Sequence, residues 1–402
     1  MREAGRLLAR LRTISGESLQ FDEGRGGGEW TNIACVIAHP STSLKNPCNF
    51  AAALPAATSA FRRSKAEKGR IMRIPRRQFL HLAAGAAGLA AAPGVLRADT
   101  YPSRPVRLVL PFPPGGVFDI VGRPWADKVS KSGMLNTVFV ENQPGAGGSV
   151  AAASVAHSAP DGYTIFLGTS SIHLAEMVLR EHPLLDPMKD LVTVSMVAIT
   201  CFGIAVHPSV PAQNLKELVD YVKANPGKLS YGSSGAGTLN HLSGELLKSL
   251  TGITDLPHVP YRGAGPALAD VMGGQIPIII PAMTSQVLEF HRTGKLRLLA
   301  ITNPTRLPIA PEIPTAVESG IPGLVTQQVL GLFVPAGVPQ PIAAQIAAAN
   351  ANAMADKAYT QSLVDAAVIP VPDWTVERFN QFMKEDVARW TPLVKAIGIK
   401  LD

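Results

Sequence analysis

From residue 105 onward, apolar runs of strand length alternate with stretches of helical period. Residues 106–112, apolar but for Arg107, predict a buried strand, stopped by Pro113, Pro114, Gly115 and Gly116. Val121, Trp125 and Val129 then recur every four residues, with Asp127 and Lys131 placed to pair one turn apart. Further strands are predicted over 138–141, 163–168, 276–280 and 296–301. Leu215, Leu218, Val219 and Val222 mark one helical face, opened by Asn214 with Glu217 three residues on, a capping-box arrangement. Ala264, Ala267, Leu268, Val271 and Met272 mark another, and helices are predicted over 341–355, 360–366 and 375–396. This alternation indicates an α/β protein whose sheets are largely parallel and flanked by helices. Two long apolar stretches, 192–206 and 327–334, read as strands crossing between two domains. The expected division is a discontinuous first domain, 99–205 with 330–402, and a second domain, 206–329, joined by a hinge that closes on a ligand. The proline-spaced segment 306–314 reads as a loop.

The chain has 402 residues, 46% hydrophobic and 17% charged, which suits two or three packed domains and excludes global disorder. Its formal charge of +7 invites a nucleic-acid or membrane-surface reading. Residues 1–98, however, hold 15 of the 37 basic and 6 of the 30 acidic side chains, leaving 22 basic and 24 acidic over 99–402. The body of the protein is therefore slightly acidic and carries no basic stripe, so no nucleic-acid partner is expected.

Residues 1–71 show no sustained period and read as a misassigned, disordered upstream extension. Met72 opens a segment, 72–98, with the features of an export signal: Arg76-Arg77 before Gln78, Phe79 and Leu80, a short apolar run over 80–92, and Ala98 before a cut. The paired arginines resemble a twin-arginine signal. The run is too short to span a bilayer, which takes about 20 residues. These features predict a periplasmic protein that starts near Asp99. Beyond the leader only Cys201 remains of three cysteines, which fits an oxidising compartment.

Catalytic signatures fail on inspection. Gly232-Ser-Ser-Gly-Ala-Gly237 lacks the last glycine of a nucleophile elbow, since Ala236 stands there. No phosphate loop follows, because Thr238 succeeds Gly237 without a lysine. Histidines 157, 173, 182, 207, 241, 258 and 291 show no metal-ligand spacing. A Ser234–His241 pair is the one arrangement that would make the protein a secreted serine hydrolase.

Three glycine-rich turns remain, over 113–119, 142–149 and 232–238, each after a predicted strand and before a predicted helix. One reading is that the glycines only shape turns. The other is a ligand crevice at the carboxyl ends of the strands, where backbone N–H groups and helix N-termini favour anions. Asp119 and Thr238 stand where helix N-caps are expected.

These turns belong to longer motifs: Leu110-Pro-Phe-Pro-Pro-Gly-Gly-Val-Phe-Asp119, Val140-Glu-Asn-Gln-Pro-Gly-Ala-Gly-Gly148, Pro160-Asp-Gly-Tyr-Thr164, Tyr231-Gly-Ser-Ser-Gly-Ala-Gly-Thr-Leu-Asn-His241 and His258-Val-Pro-Tyr-Arg-Gly-Ala-Gly-Pro266. In this order they resemble the Bug family, the extracytoplasmic solute receptors of tripartite tricarboxylate transporters, over about 99–402. The resemblance implies a two-domain periplasmic binding protein, type II-like, which takes a small organic carboxylate in its interdomain cleft and delivers it to membrane permease subunits. It further implies a monomer without catalytic residues, metal or cofactor. By motif position the ligand residues are Pro114, Gly115, Gly116, Phe118 and Asp119 in the first domain, Ser170 and Ser171 after the third strand, and Ser233, Ser234, Gly237, Thr238 and His241 in the second. The sequence departs from the family at Pro277, where an aspartate is usual, followed by the apolar residues 278–280. Together with Phe118, His173 and Met177, these suggest an apolar pocket wall and a bulky or aromatic carboxylate; the plain alternative is that 278–280 is only a buried strand.

Overall fold

The computed structural model describes residues 101–401. The expected extension over 1–71 and the export segment over 72–98 lie outside the described residues.

The described chain alternates strands and helices, as its hydrophobic periods require. In order they are β1 (Val106–Leu110), α1 (Val117–Ser132), β2 (Val138–Asn142), α2 (Ser149–Ala156), β3 (Thr164–Thr169), α3 (Ser170–Leu174), β4 (Leu191–Cys201) and β5 (Gly203–Val206). There follow α4 (Leu215–Ala224), β6 (Tyr231–Ser233), α5 (Leu239–Thr251), β7 (His258–Pro260), α6 (Ala264–Met272), β8 (Ile278–Ile279), α7 (Ser285–Arg292) and β9 (Arg297–Ile301). The chain ends with β10 (Gln327–Pro335), α8 (Gln340–Ala355), α9 (Lys357–Asp365), β11 (Ile369–Pro370) and α10 (Val376–Ile397). The expected Asn214–Glu217 cap forms in one half: Glu217 N–H donates to Asn214 Oδ1 at 2.9 Å, while the Glu217 carboxylate accepts from the N–H of Gln213, one residue before the N-cap, at 2.7 Å.

Two sheets result, a six-stranded one in the order β11-β4-β10-β3-β1-β2 and a five-stranded one in the order β7-β6-β8-β5-β9. Both have helices on their two faces, but neither is largely parallel. In the first, β1 pairs in parallel with β2 and β3, whereas β10 runs antiparallel to β3 and β4, and β11 antiparallel to β4. In the second, β6 is parallel to β7 and β8, while β5 is antiparallel to β8 and β9. The antiparallel strands are those that carry the chain from one sheet to the other and back. Their sequences are apolar on both faces, like a parallel core strand, and so conceal their direction.

Side-chain alternation then builds a core on each face. Along β1, Leu108 and Leu110 join Trp125 and Ile346 on one side, and Val109 joins Phe166 and Phe333 on the other. Along β8, Ile278 packs with Tyr231 and Leu242, and Ile279 with Val271 and Leu288. The switch between sheets falls at Phe202, the residue separating β4 from β5. The expected boundary at 205 therefore cuts through β5, and that at 330 cuts through β10, which pairs within the first sheet from Gln327. At the switch Phe202 N–H donates to Thr302 Oγ1 at 3.0 Å, and the Thr302 hydroxyl donates to Thr326 O at 2.7 Å, so both crossings are tied at one point. Helix α10 is shared: Phe379 and Met383 pack under the first sheet, and Trp390 and Val394 pack into the core of the second.

Candidate functional site

A cleft lies between the two sheets at the ends of their strands, and four helix N-termini contribute to its lining. The first wall is the segment after β1. Phe112, Pro113, Pro114, Gly115, Gly116, Val117 and Phe118 line it, and the Phe112 and Phe118 rings stack with centroids 5.0 Å apart. Gly115 has φ +93°, a left-handed conformation that only glycine adopts without strain. Gly116 is the N-cap of α1, and its carbonyl accepts from the Asp119 and Ile120 N–H groups. The N–H groups of Val117 and Phe118 have no partner among the described residues, as in any helix first turn.

Asp119 is thus not the N-cap that its sequence position suggested. It sits in the first turn with no place on the cleft surface, and it holds the loop from behind. Its carboxylate accepts from Gly115 N–H at 3.1 Å and from Arg123 Nε at 2.6 Å. Arg123 in turn donates to Asn142 Oδ1, and Asn142 Nδ2 donates to Phe112 O, both at 2.8 Å. The chain Asp119–Arg123–Asn142 fixes both ends of the first wall.

The second wall begins at Ser234, in the turn between β6 and α5. Ser234 Oγ donates to Asn240 Oδ1 at 2.9 Å, and Asn240 Nδ2 donates to Ile280 O at 2.8 Å. Thr238 is the N-cap of α5 by position, but its hydroxyl donates to Gly235 O at 2.7 Å and makes no side-chain cap. The first turns of α6 and α7 complete this wall with Ala264, Gly265, Pro266, Thr284, Gln286 and Val287. From the first sheet Ser171 and Gln328 reach the floor; Gln328 is buried and its Oε1 accepts from Thr169 Oγ1 at 3.4 Å.

Of the residues singled out from sequence, Pro114, Gly115, Gly116, Phe118, Ser171, Ser234 and Thr238 line the cleft together. Ser170, Ser233, Gly237, His241 and Asp119 do not line it. Ser170 Oγ accepts from Val329 N–H at 3.1 Å inside the first sheet. Ser233 is 2.6 Å from His258 Nε2, and Gly237 packs on Leu401. His241 Nδ1 accepts from Gly237 N–H at 3.1 Å, and its ring stacks on His258 with centroids 3.8 Å apart. Burial lowers His241 to about 4 and His258 to about 3, so both are neutral rings at neutral pH. The Ser234–His241 pair expected of a hydrolase is not assembled: the serine is engaged by Asn240 and the histidine by Gly237.

The apolar wall comes only in part from the residues expected: Phe118 lines it, and the others do not. Ile278, Ile279 and Ile280 are buried in the two cores of the second sheet, His173 is enclosed by Phe333 and Phe379, and Met177 is exposed away from the cleft. Beside Phe118, the apolar surface is supplied by Phe112, Val117, Leu268, Ala282 and Val287. Phe112, Asn240 and Ala264 stood inside the quoted motifs, whereas Gln328 and Thr284 carried no local signal, being brought in by a crossing strand and a helix start. No Asp, Glu, Lys, Arg or His is among the described residues lining this cleft. Among the described residues no group of three His, Cys, Asp or Glu is gathered as metal ligands would be.

Two glycine-bearing lobes, a cleft between them and helix N-termini on both walls define a solute-binding protein. The model of the tripartite tricarboxylate transporter family receptor matches residues 121–399, and the chain belongs to that family of periplasmic solute-binding receptors. It is 34% identical over 319 residues to Protein BugT of Bordetella pertussis, covering 78% of this chain and 95% of that protein. Among solved structures it is similar to MatC from Rhodopseudomonas palustris with bound malate, at 30% identity and a TM-score of 0.66 over 73% of this chain and 100% of that one. It is also similar to R. palustris Rpa4515 with adipate, at 30% identity and a TM-score of 0.69 over 75% of this chain and 99% of that one.

Proposed function

We propose that the protein captures a small organic carboxylate in this cleft and hands it to the membrane subunits of a tripartite transporter. The carrying observation is that the first turns of α1, α5, α6 and α7 all line a cleft that bears no charged side chain. The unpaired N–H groups of Val117 and Phe118 and the positive ends of the helix dipoles favour an anion there without a cationic residue. Neutral donors also leave the lining of the cleft itself uncharged when it is empty. Malate and adipate, held by the two structural relatives, are carboxylates and support the same class of ligand. The stacked Phe112 and Phe118 rings favour a ligand with a bulky or aromatic body over a compact, highly charged one.

The chain acts without chemistry on its ligand. Export by the twin-arginine-like segment, with cleavage near Ala98, would place it in the periplasm, and the hinge at Phe202 and Thr302 would let the lobes close and open. A thermal-shift screen of aliphatic and aromatic carboxylates tests the reading, using protein starting at Asp99 both as purified and after refolding to strip carried-over ligand. Stabilisation by a carboxylate, with no turnover of ester substrates, is the expected result. Ester turnover that disappears in Ser234→Ala, or no stabilisation by any carboxylate, would overturn it.

A further inference from the structure

Beside the cleft lies a second cavity, and Phe112, Pro113 and Ser234 line both. Its character is different. Where the cleft has no formal charge, this chamber is lined by two guanidinium groups, those of Arg180 and Arg262, and by no carboxylate side chain among the described residues. The Arg180 side chain is 5% exposed and ion-paired through Nε to Glu176 at 2.7 Å, so its charge is already met within the fold. Arg262 is exposed and makes no hydrogen bond or ion pair with any described residue. Its neighbour Tyr261 is held in place by a 2.7 Å bond to Asp270, which anchors the segment that carries the arginine.

The chamber also collects backbone. The turn Gly145, Ala146 and Gly147 runs with φ of 150°, 46° and 65°, and faces the Gly235–Ala236 turn from the other lobe. A Cβ on Gly147 would stand 3.3 Å from Ala236 O, so the two turns approach as backbone on backbone. Gly263 lies against the ring of Pro113, where an added Cβ would stand 3.1 Å from Cδ. Phe112 and Ser234 line both cavities, so a ligand resting on Phe112 in the cleft lies next to this chamber.

We propose that Arg262 recognises a second anionic group at the far end of the cleft's ligand, and so makes the receptor selective for dianions over the matching monoanions. The inference rests on the reading of the cleft as a carboxylate site. A guanidinium without an internal partner forms a charge-assisted pair with a carboxylate at no loss of an existing bond.

The test is calorimetry on the full chain with matched pairs: aliphatic α,ω-dicarboxylates against monocarboxylates of the same length, and benzenedicarboxylates against benzoate. At least one dicarboxylate should bind about tenfold or more tightly than its monocarboxylate partner, with that advantage erased in Arg262→Gln and partly kept in Arg262→Lys. Unchanged thermal unfolding of the variants shows that the fold is intact. A monocarboxylate that binds as tightly as its partner, or an Arg262→Gln variant that weakens both members equally or neither, overturns the role of Arg262 while leaving the cleft as a carboxylate site. Binding by no carboxylate at all removes the reading of the cleft, and this inference with it.

Discussion

Ser171, in the first turn of α3 just after β3, accepts a hydrogen bond through Oγ from the N–H of Leu239, the first residue of α5 in the second lobe, at 3.0 Å. This bond spans the cleft and satisfies a helix-terminal donor that has no partner within its own helix. Both groups are buried, so the bond also registers how closely the lobes have come together. Ser171→Ala is expected to leave the Leu239 N–H unpaired and to disfavour closure. A net loss of about 1 kcal/mol, or roughly fivefold in affinity, is the expected scale. Calorimetry with the ligand from the carboxylate screen measures it, and an unchanged affinity would mean that this bond does not contribute to closure.

Ser234 and Asn240 form the polar brace of the second wall, with Asn240 bridging the Ser234 hydroxyl and the Ile280 carbonyl. Removing Asn240 leaves a carbonyl and a hydroxyl unpaired, whereas removing Ser234 leaves only an amide oxygen. Asn240→Ala should therefore be the more destabilising, by about 1–3 kcal/mol, and the two substitutions should be non-additive. A double-mutant cycle by denaturant unfolding checks the coupling; strictly additive effects would sink it.

Gly244 packs directly on the ring of Tyr231, where an added Cβ would stand 2.3 Å from Cε2 and 2.5 Å from Cζ. Tyr231 is fully buried and its hydroxyl donates to Glu245 Oε1 at 2.7 Å, so the ring has no room to retreat. Gly244→Ala should cost about 1–3 kcal/mol by overpacking, despite the better helix propensity of alanine. The unfolding midpoint in urea should fall with little change in slope.

Stability should decline in acid. His173 and His241 are lowered to about 4 and His258 to about 3, in each case chiefly by burial. Below the ordinary histidine value near 6.5, the unfolded chain takes up protons that the folded one refuses, so stability falls as the pH drops from 6.5 towards 4. Burial raises Asp386 to about 6, which has the opposite sign: its contribution is complete below its ordinary value near 3.8 and is lost as the pH rises through 6. One carboxyl opposes three histidines between pH 4 and 6, and the balance is acid-labile. Melting temperatures from pH 7 to 4.5 should fall, and His173→Leu should flatten the fall; a level profile in the native protein would contradict the assignment.

Much of the secondary structure was legible because it depends on local rules. The apolar run before Pro113, the four-residue spacing of Val121, Trp125 and Val129, and the Asn214–Glu217 box each fix an element through neighbours within one or two turns. The motif residues of the first ligand loop were legible for the same reason, since Gly115 needs a left-handed turn that its own identity announces. Strand direction was not legible. β4, β5 and β10 are buried on both faces, and a two-sided apolar strand carries no mark of parallel or antiparallel pairing.

The sequence by itself determined the α/β alternation, the glycine turns and the family resemblance, since all three are carried by residue identity at short spacing. Tertiary structure decided which of the candidate residues share a surface. Ser170 and Ser171 are adjacent in the chain, yet α3 turns one hydroxyl into the first sheet, to Val329, and the other across the cleft, to Leu239. Ser234 and His241 looked like partners at helical distance, but Asn240 and Gly237 occupy the bonds that would have joined them. Gln328 and Thr284 reached the cleft only through the packing of distant segments. The physical reason is common to all: a hydrogen-bonding group takes the partner that folding brings within reach, and for Ser170 that partner, Val329, lies 159 residues away along the chain.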